Sequence, residues 1–175
     1  ILDIDFPGIA IGGLSVGEAK DDMLSVLEET VPIIPEDKPR YLMGVGKPTD
    51  IMDAVTRGID MFDCVLPTRN ARNGSVYTWK GKLIVKAGAH ATDETPIDPD
   101  CSCKVCKRYS KAYIRHLFNV GELLAPHLAT YHTIYFYLDF IRKMREAIID
   151  GNFSKFCEEF RSNFSEEPDT PSDAR

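Results

Sequence analysis

The 175-residue chain is 43% apolar and 27% charged, the balance of an ordinary globular protein with room for one domain and a real core. No apolar run approaches the length of a membrane span. The opening Ile1-Leu2-Asp3-Ile4-Asp5 has neither an initiator Met nor a signal-like segment, so the chain reads as cut from something longer. The net charge of −6 argues on its face against a nucleic-acid partner, yet residues 65–116 carry ten Lys/Arg against four Asp/Glu. On charge alone that segment is either a solvated loop region or an electrostatic footprint for phosphate.

In chain order, Gly8-Ile9-Ala10-Ile11, residues 40–44 and residues 58–63 have the look of buried parallel strands. Helix patterns separate them. Residues 18–30 put Met23, Leu24 and Leu27 on one face, and Thr49 caps a short helix containing Ile51, Met52 and Val55. This alternation predicts an α/β fold of consecutive βαβ units, as an open parallel sheet or as part of a (β/α)8 barrel. A loop with Pro67, Arg69, Arg72 and Gly74 follows. Val76-Tyr77-Thr78-Trp79 and Leu83-Ile84-Val85 then flank Lys80-Gly81-Lys82 as a β-hairpin. After a cysteine-rich loop, helices are expected at residues 111–118 and 127–150, the second stopped by Gly151. A last helix places Phe153, Phe156, Cys157, Phe160 and Phe164 at core spacing, with Cys157 an inert buried thiol. Residues after Ser165 are acidic and expected to fray.

Three of the five cysteines fall in Cys101-x-Cys103-x-x-Cys106. That is too tight for a disulfide scaffold and suits metal binding in a reducing cytosol. A fourth ligand completing Cys3His would make a closed, tetrahedral, structural zinc site. Among the four histidines His132 is the best placed, at the start of an aromatic run. His127 competes on spacing, and His90 and His116 read as surface or interface residues. Asp63 ends an apolar strand, where a carboxylate either caps the following loop or, in a barrel, attacks a sugar C1′. Gly12 and Gly13 close the first strand; they serve a βα turn and also admit a flat base close to the backbone. Tyr109, Tyr113 and His116 fall at i, i+4 and i+7, a stripe that either packs inward or anchors an interface.

Four motifs in order carry a resemblance: Ala10-Ile11-Gly12-Gly13-Leu14-Ser15-Val16-Gly17-Glu18, Tyr41-Leu42-Met43-Gly44-Val45-Gly46, Met61-Phe62-Asp63-Cys64-Val65-Leu66-Pro67-Thr68-Arg69, and the cysteine set with its histidine. Together they are similar to the tRNA-guanine transglycosylases, from Gly8 to Phe164. The resemblance implies the C-terminal part of a TIM barrel with an inserted zinc subdomain: residues 1–74 as the last βα units, 75–135 as hairpin and zinc subdomain, 136–164 as C-terminal helices and 165–175 as a flexible tail. It assigns the fourth zinc ligand to His132 and the nucleophile to Asp63. It also implies base contacts from Gly12, Gly13, Leu14, Met43 and Gly44, and anticodon-loop contacts from Lys47, Thr68, Arg69, Asn70, Ala71 and Arg72. Val16 is the bacterial choice, which suits the small precursor preQ1, and Glu18 resembles the residue that steadies the Leu14 peptide. Tyr109, Tyr113, His116 and Leu128 correspond to a homodimer interface. The expected activity is exchange of the wobble guanine of tRNA for preQ1 through a covalent Asp-ribosyl intermediate, in the cytoplasm. The family's other essential carboxylates are expected upstream, so this chain alone is expected to be inactive. Two other classes compete: a non-catalytic tRNA-docking subunit, and a plain zinc-stabilised domain. The second leaves Asp63 and the glycine pair unexplained.

Overall fold

A computed structural model describes residues 4–169. In it the three apolar stretches become β1 (Ile9–Ile11), β2 (Arg40–Met43) and β3 (Met61–Asp63). They pair in the order β1-β2-β3, all parallel, with Ile9 opposite Arg40, Leu42 opposite Phe62 and Met43 opposite Asp63. Parallel neighbours need a crossover, supplied by helices α1 (Lys20–Thr30) and α2 (Pro48–Thr56). Leu42 of the central strand, Leu27 of α1 and Met52 and Ala54 of α2 are fully buried. Burial of such side chains is the main term holding a layer of this kind together, at about 1.5–3 kcal/mol for each large one. At the edge of that core Lys20 bridges Asp50 and Asp53 at 2.8 and 2.7 Å, which neutralises the buried Asp53.

Within the first 66 residues two helix starts differ from expectation, and the long helix further on begins at Leu124, three residues before the expected 127. The first begins at Lys20 rather than at residue 18, because the Glu18 carboxylate accepts the amide N–H groups of Ser15 and Val16 ahead of the helix. The second begins at Pro48 with Lys47 as its N-cap, so Thr49 lies inside the first turn and is not the cap. Proline at the first helical position has its φ preset and loses no needed donor, which moves the start back by one residue.

Residues from Pro67 onward form a second compact unit. The expected loop after Asp63 is in fact a short helix, α3 (Leu66–Arg72). The hairpin is β4 (Ser75–Thr78) and β5 (Gly81–Ile84), antiparallel, with Val76 opposite Leu83 and Tyr77 opposite Lys82. Its turn is Trp79-Lys80, so Trp79 leaves the strand it was read into and Gly81-Lys82 join the next. Helices α4 (Lys111–Asn119), α5 (Leu124–Ile149) and α6 (Phe153–Asn163) follow. Ser110 caps α4 by accepting the Tyr113 N–H. Gly151, at φ 69°, ends α5 as expected: its N–H bonds Ile148 and the next N–H bonds Ala147.

Two cores meet along α5. Val76, Val85, Ile97, Val105, Ile114, Leu117, Ala125 and Ala129 form an aliphatic cluster. Further along α5, Phe136 and Phe140 pack with Tyr77, with Phe160 of α6 and with the single tryptophan of the chain, Trp79. Lys143 sits 3.9 Å above the Trp79 ring. Segments 75–135 and 136–164 therefore share these contacts. Cys157 is buried as expected, and Phe164 stacks on Phe160 at 4.6 Å although α6 ends before it.

The expectation of a flexible tail at 165–175 is corrected for its first five residues. Ser165–Asp169 form β6, parallel to β5, with Ser165 opposite Gly81 and Leu83 opposite Asp169 across a register shift. The pairing uses backbone groups of an otherwise open edge and so needs no apolar side chains. Gly81, at φ 130°, makes it possible, since a Cβ there would lie 2.1 Å from the Ser165 carbonyl oxygen. Residues 170–175 of the expected tail lie outside the described residues. Among the described residues no helix is long and apolar enough to cross a membrane.

Candidate active-site edge and metal centre

Because β1, β2 and β3 are parallel neighbours, their carboxyl ends fall along one edge, where chemistry in parallel α/β folds collects. Asp63 ends β3 with its side chain exposed. Its Oδ1 accepts the Tyr41 hydroxyl at 2.6 Å and the Gly44 N–H at 3.3 Å, and its backbone carbonyl accepts Gly44 N–H at 3.1 Å. The Asp63 carboxylate in turn pushes the Tyr41 phenol above its ordinary range, mainly through their hydrogen bond, so the hydroxyl stays a donor. Met43, 44% exposed, ends β2, and a Cβ on Gly12 would touch its Sδ at 3.4 Å. Gly44 turns at φ 82°, with the place of a Cβ 3.9 Å from the Leu14 carbonyl. Thus Gly12, Leu14, Met43, Gly44 and Asp63 are gathered at one edge, and Gly13, at φ 81°, supplies the turn between the first two.

Glu18 holds the loop after β1. By accepting Ser15 N–H it fixes the Leu14–Ser15 peptide, and it accepts Val16 N–H at 2.9 Å. Its own amide and those of Ser15 and Val16 hold its carboxyl below the ordinary range. Ser15, held by this contact, has φ 59°, in the left-handed region. Val16 is 80% exposed. Behind the edge, a Cβ on Gly46 would lie 2.5 Å from that of Cys64, so only glycine lets the two chain segments pass. Tyr41 was not picked out from the sequence. The signal was available in the strand register, since residues 41 and 43 share a face with 61 and 63.

The second unit brings Cys101, Cys103, Cys106 and His132 together, their ligand atoms all within 4.8 Å of one another. The sulfurs lie 3.7, 3.7 and 3.3 Å from His132 Nδ1. A tetrahedral ion held at about 2.3 Å by sulfur and about 2.0 Å by nitrogen requires S···N edges of about 3.5 Å, so the donor set fits. His132 is fully buried, and its Nε2–H donates to the Tyr77 carbonyl at 2.9 Å, which turns the Nδ1 lone pair toward the thiols. Burial pushes the imidazolium down, but the Cys101 and Cys103 sulfurs outweigh it and raise His132 to about 9. Hydrogen bonds from Cys101 and Cys106 hold Cys103 well below the thiol range, and contacts with Cys101 and Cys103 push Cys106 up. Such a cluster sets three sulfurs and one nitrogen around a central position and can hold a metal ion. Asp98, 2% exposed, ties the loop to the hairpin by accepting Trp79 N–H at 2.8 Å and Asp100 N–H at 2.9 Å. That role was not legible in the sequence.

The other histidines divide differently from expectation. His127 is exposed and away from the cluster, and His116 is exposed, but His90 is buried with its Nδ1 3.3 Å from Asp93. It packs inward because Lys111 and Thr95 complete a polar network around that carboxylate. On α3, Arg69 and Arg72 are exposed, while Thr68 and Asn70 are half-buried. Ala71, counted with the RNA-facing residues, is fully buried in the aliphatic cluster, so its side chain packs inward. Lys47 is exposed at the start of α2. Tyr109 precedes α4 rather than lying on it, yet its ring stacks on Tyr113 at 5.4 Å. Leu128 is 6% exposed and belongs to the core, reaching only the floor of a groove of about 170 Å³ beside Tyr109, His127 and Tyr131.

Comparison with known proteins points to one family. The family model described as queuine tRNA-ribosyltransferase matches residues 1–166. The queuine tRNA-ribosyltransferase of Caldanaerobacter subterraneus subsp. tengcongensis is 55% identical over 94% of this chain and 44% of the relative. That of Acetivibrio thermocellus is 54% identical over the same shares, and that of Halothermothrix orenii 56% identical over 91% and 43%. The chain thus spans less than half the length of these curated relatives, matching their C-terminal part. With a family match over nearly all of its length, the chain belongs to the queuine tRNA-ribosyltransferase, or tRNA-guanine transglycosylase, family.

Proposed function

We propose that the full-length protein is a bacterial-type tRNA-guanine transglycosylase that replaces the guanine at the wobble position of tRNA by preQ1. The observation that carries this reading is the exposed Asp63 carboxylate, held at the edge where Gly12, Leu14, Met43 and Gly44 also end. A lone pair of the carboxylate forms a bond to ribose C1′ while the C1′–N9 bond breaks and its electron pair leaves with guanine. N9 of the incoming base, giving its proton to a general base of the full-length enzyme, then bonds C1′ and returns the pair to Asp63. Gly13 and the Leu14 peptide approach the base, Met43 and Gly44 underlie it, and the exposed Val16 narrows the pocket for a small substituent. Lys47, Arg69 and Arg72, with Thr68 and Asn70, meet the anticodon loop through phosphate neutralisation and guanidinium stacking. Residues 1–74 contribute the last βα units of a (β/α)8 barrel, with the three parallel strands in sequential order as support. The metal held by the cysteines and His132 is zinc, with a structural task. The protein acts in the cytoplasm.

The test is base exchange. Full-length protein should incorporate labelled guanine into tRNA, and preQ1 should suppress that incorporation while queuine does not. Equal suppression by queuine overturns the preQ1 assignment, and no incorporation overturns the activity.

The protein is also proposed to pair with a second copy through the stacked Tyr109 and Tyr113, the exposed His116 and the edge of Leu128. Aromatic rings of this kind anchor interfaces. Replacing both tyrosines by Ala should raise the dissociation concentration of the dimer about tenfold or more without changing metal content. Sedimentation of the double variant beside wild type checks this, and identical dissociation would make the stack part of the fold only.

A further inference from the structure

Strand register gives Asp63 a neighbour that the reaction can use. Met43 pairs with Asp63 and Tyr41 with Met61, so Tyr41 projects from the same face of the sheet, one pleat earlier. Its hydroxyl donates to Asp63 Oδ1 at 2.6 Å, and the Gly44 N–H donates to the same oxygen at 3.3 Å. Among the described residues Oδ2 takes no hydrogen bond. The two oxygens of one carboxylate are thereby made unequal. We propose that Tyr41 is a positioning residue for the covalent step, which holds Oδ1 so that Oδ2 is presented to C1′ and which stabilises the carboxylate as it departs again. The inference rests on Asp63 being the nucleophile.

The two halves of the exchange use this bond differently. In the first, Oδ2 supplies the electron pair for the C1′–O bond, guanine leaves with the C1′–N9 pair, and Asp63 becomes a neutral ester whose carbonyl oxygen is Oδ1. In the second, N9 of the incoming base supplies the pair for the new C1′–N9 bond, and the C1′–Oδ2 pair returns to the carboxylate. A phenol donates a stronger hydrogen bond to a carboxylate than to an ester carbonyl. Tyr41 therefore favours departure of the carboxylate in the second half more than its attack in the first. Gly44 N–H is a fixed backbone donor and holds Oδ1 in either state.

Tyr41→Phe removes one oxygen and keeps the ring. In the full-length enzyme it should lower kcat about tenfold, the loss expected for a hydrogen bond to a charged group, with KM for tRNA changed by less than about twofold. At the same time the fraction of enzyme trapped as a covalent tRNA adduct at steady state should rise, since breakdown slows more than formation. A merely structural role would lower adduct and turnover together. Unchanged kcat and adduct, or a parallel fall in both, overturns the proposal. Should the Phe variant fold poorly, 3-fluorotyrosine at position 41, which keeps the ring and strengthens the donor, should lower the steady-state adduct below wild type; an increase overturns it. Asp63→Asn separates the two levels. An adduct that persists there removes the nucleophile on which this rests, whereas an adduct lost there but unaltered in Tyr41→Phe removes only the role of Tyr41.

Discussion

Asp63→Asn in the full-length protein should reduce base exchange by on the order of 10⁴-fold or more, the scale seen when a nucleophile is removed, and should abolish the covalent tRNA adduct. The geometry makes this a clean test. The amide oxygen of Asn can still accept the Tyr41 hydroxyl and the Gly44 N–H, so the end of β3 keeps both hydrogen bonds. What it lacks is a charged oxygen with a pair to give to C1′. Binding of tRNA should be largely retained, because Lys47, Arg69 and Arg72 are untouched and phosphate contacts are set by charge. Filter binding at fixed salt, denaturing-gel detection of the adduct and labelled-guanine exchange separate the three quantities. An undiminished adduct in the Asn variant would assign the attack to another residue.

Stripping the metal, or replacing Cys103 by Ser, should unfold the second unit. Cys103 is 1% exposed and lies within the aliphatic cluster, and His132 is fully buried on the helix that also carries Phe136 and Phe140. Without the ion, three thiols and an imidazole face one another with Cys103 and His132 buried, an arrangement that burial alone disfavours. Structural zinc contributes about 10–16 kcal/mol in small zinc domains, which is as large as the whole stability of a typical domain, about 5–15 kcal/mol. Zinc content by atomic spectroscopy should fall from one ion per chain to near none in Cys103→Ser. Helical circular dichroism should fall with it, and trypsin should cut within α4 and α5. His127→Ala should keep its metal. A Cys103→Ser protein that stays helical and protease-resistant would show that the ion contributes little to the fold.

Much of this was legible because it rests on local chemistry. Short apolar runs separated by helical periodicity give parallel strands, and Cys101, Cys103 and Cys106 are spaced for a metal whatever surrounds them. The helix α3 was missed because only Ala71 among its seven residues is buried, which leaves no apolar period to read. The strand β6 was missed because Ser165–Asp169 offers no apolar alternation and its pairing is a property of the backbone edge of β5. The resemblance counts Ala71 with the RNA-binding residues and Leu128 with the dimer patch, while their burial depends on which neighbours the tertiary fold brings. Tyr41 needed the register between β2 and β3, a quantity that no single segment contains.

The place of Trp79 has an optical consequence. As the chain's single tryptophan, it lies in the hairpin turn among Phe136, Phe140 and Phe160, beneath the Lys143 ammonium. When this chain is excited at the red edge of protein absorption, where tyrosine contributes little, its emission comes from that one indole. Release of the ring into water shifts the emission to longer wavelength. A melt followed by this signal therefore reports the aromatic core of the second unit and is blind to the parallel strands that carry Asp63. Paired with far-ultraviolet dichroism, which counts helices in both units, the indole tells whether the two units unfold in one step or in two.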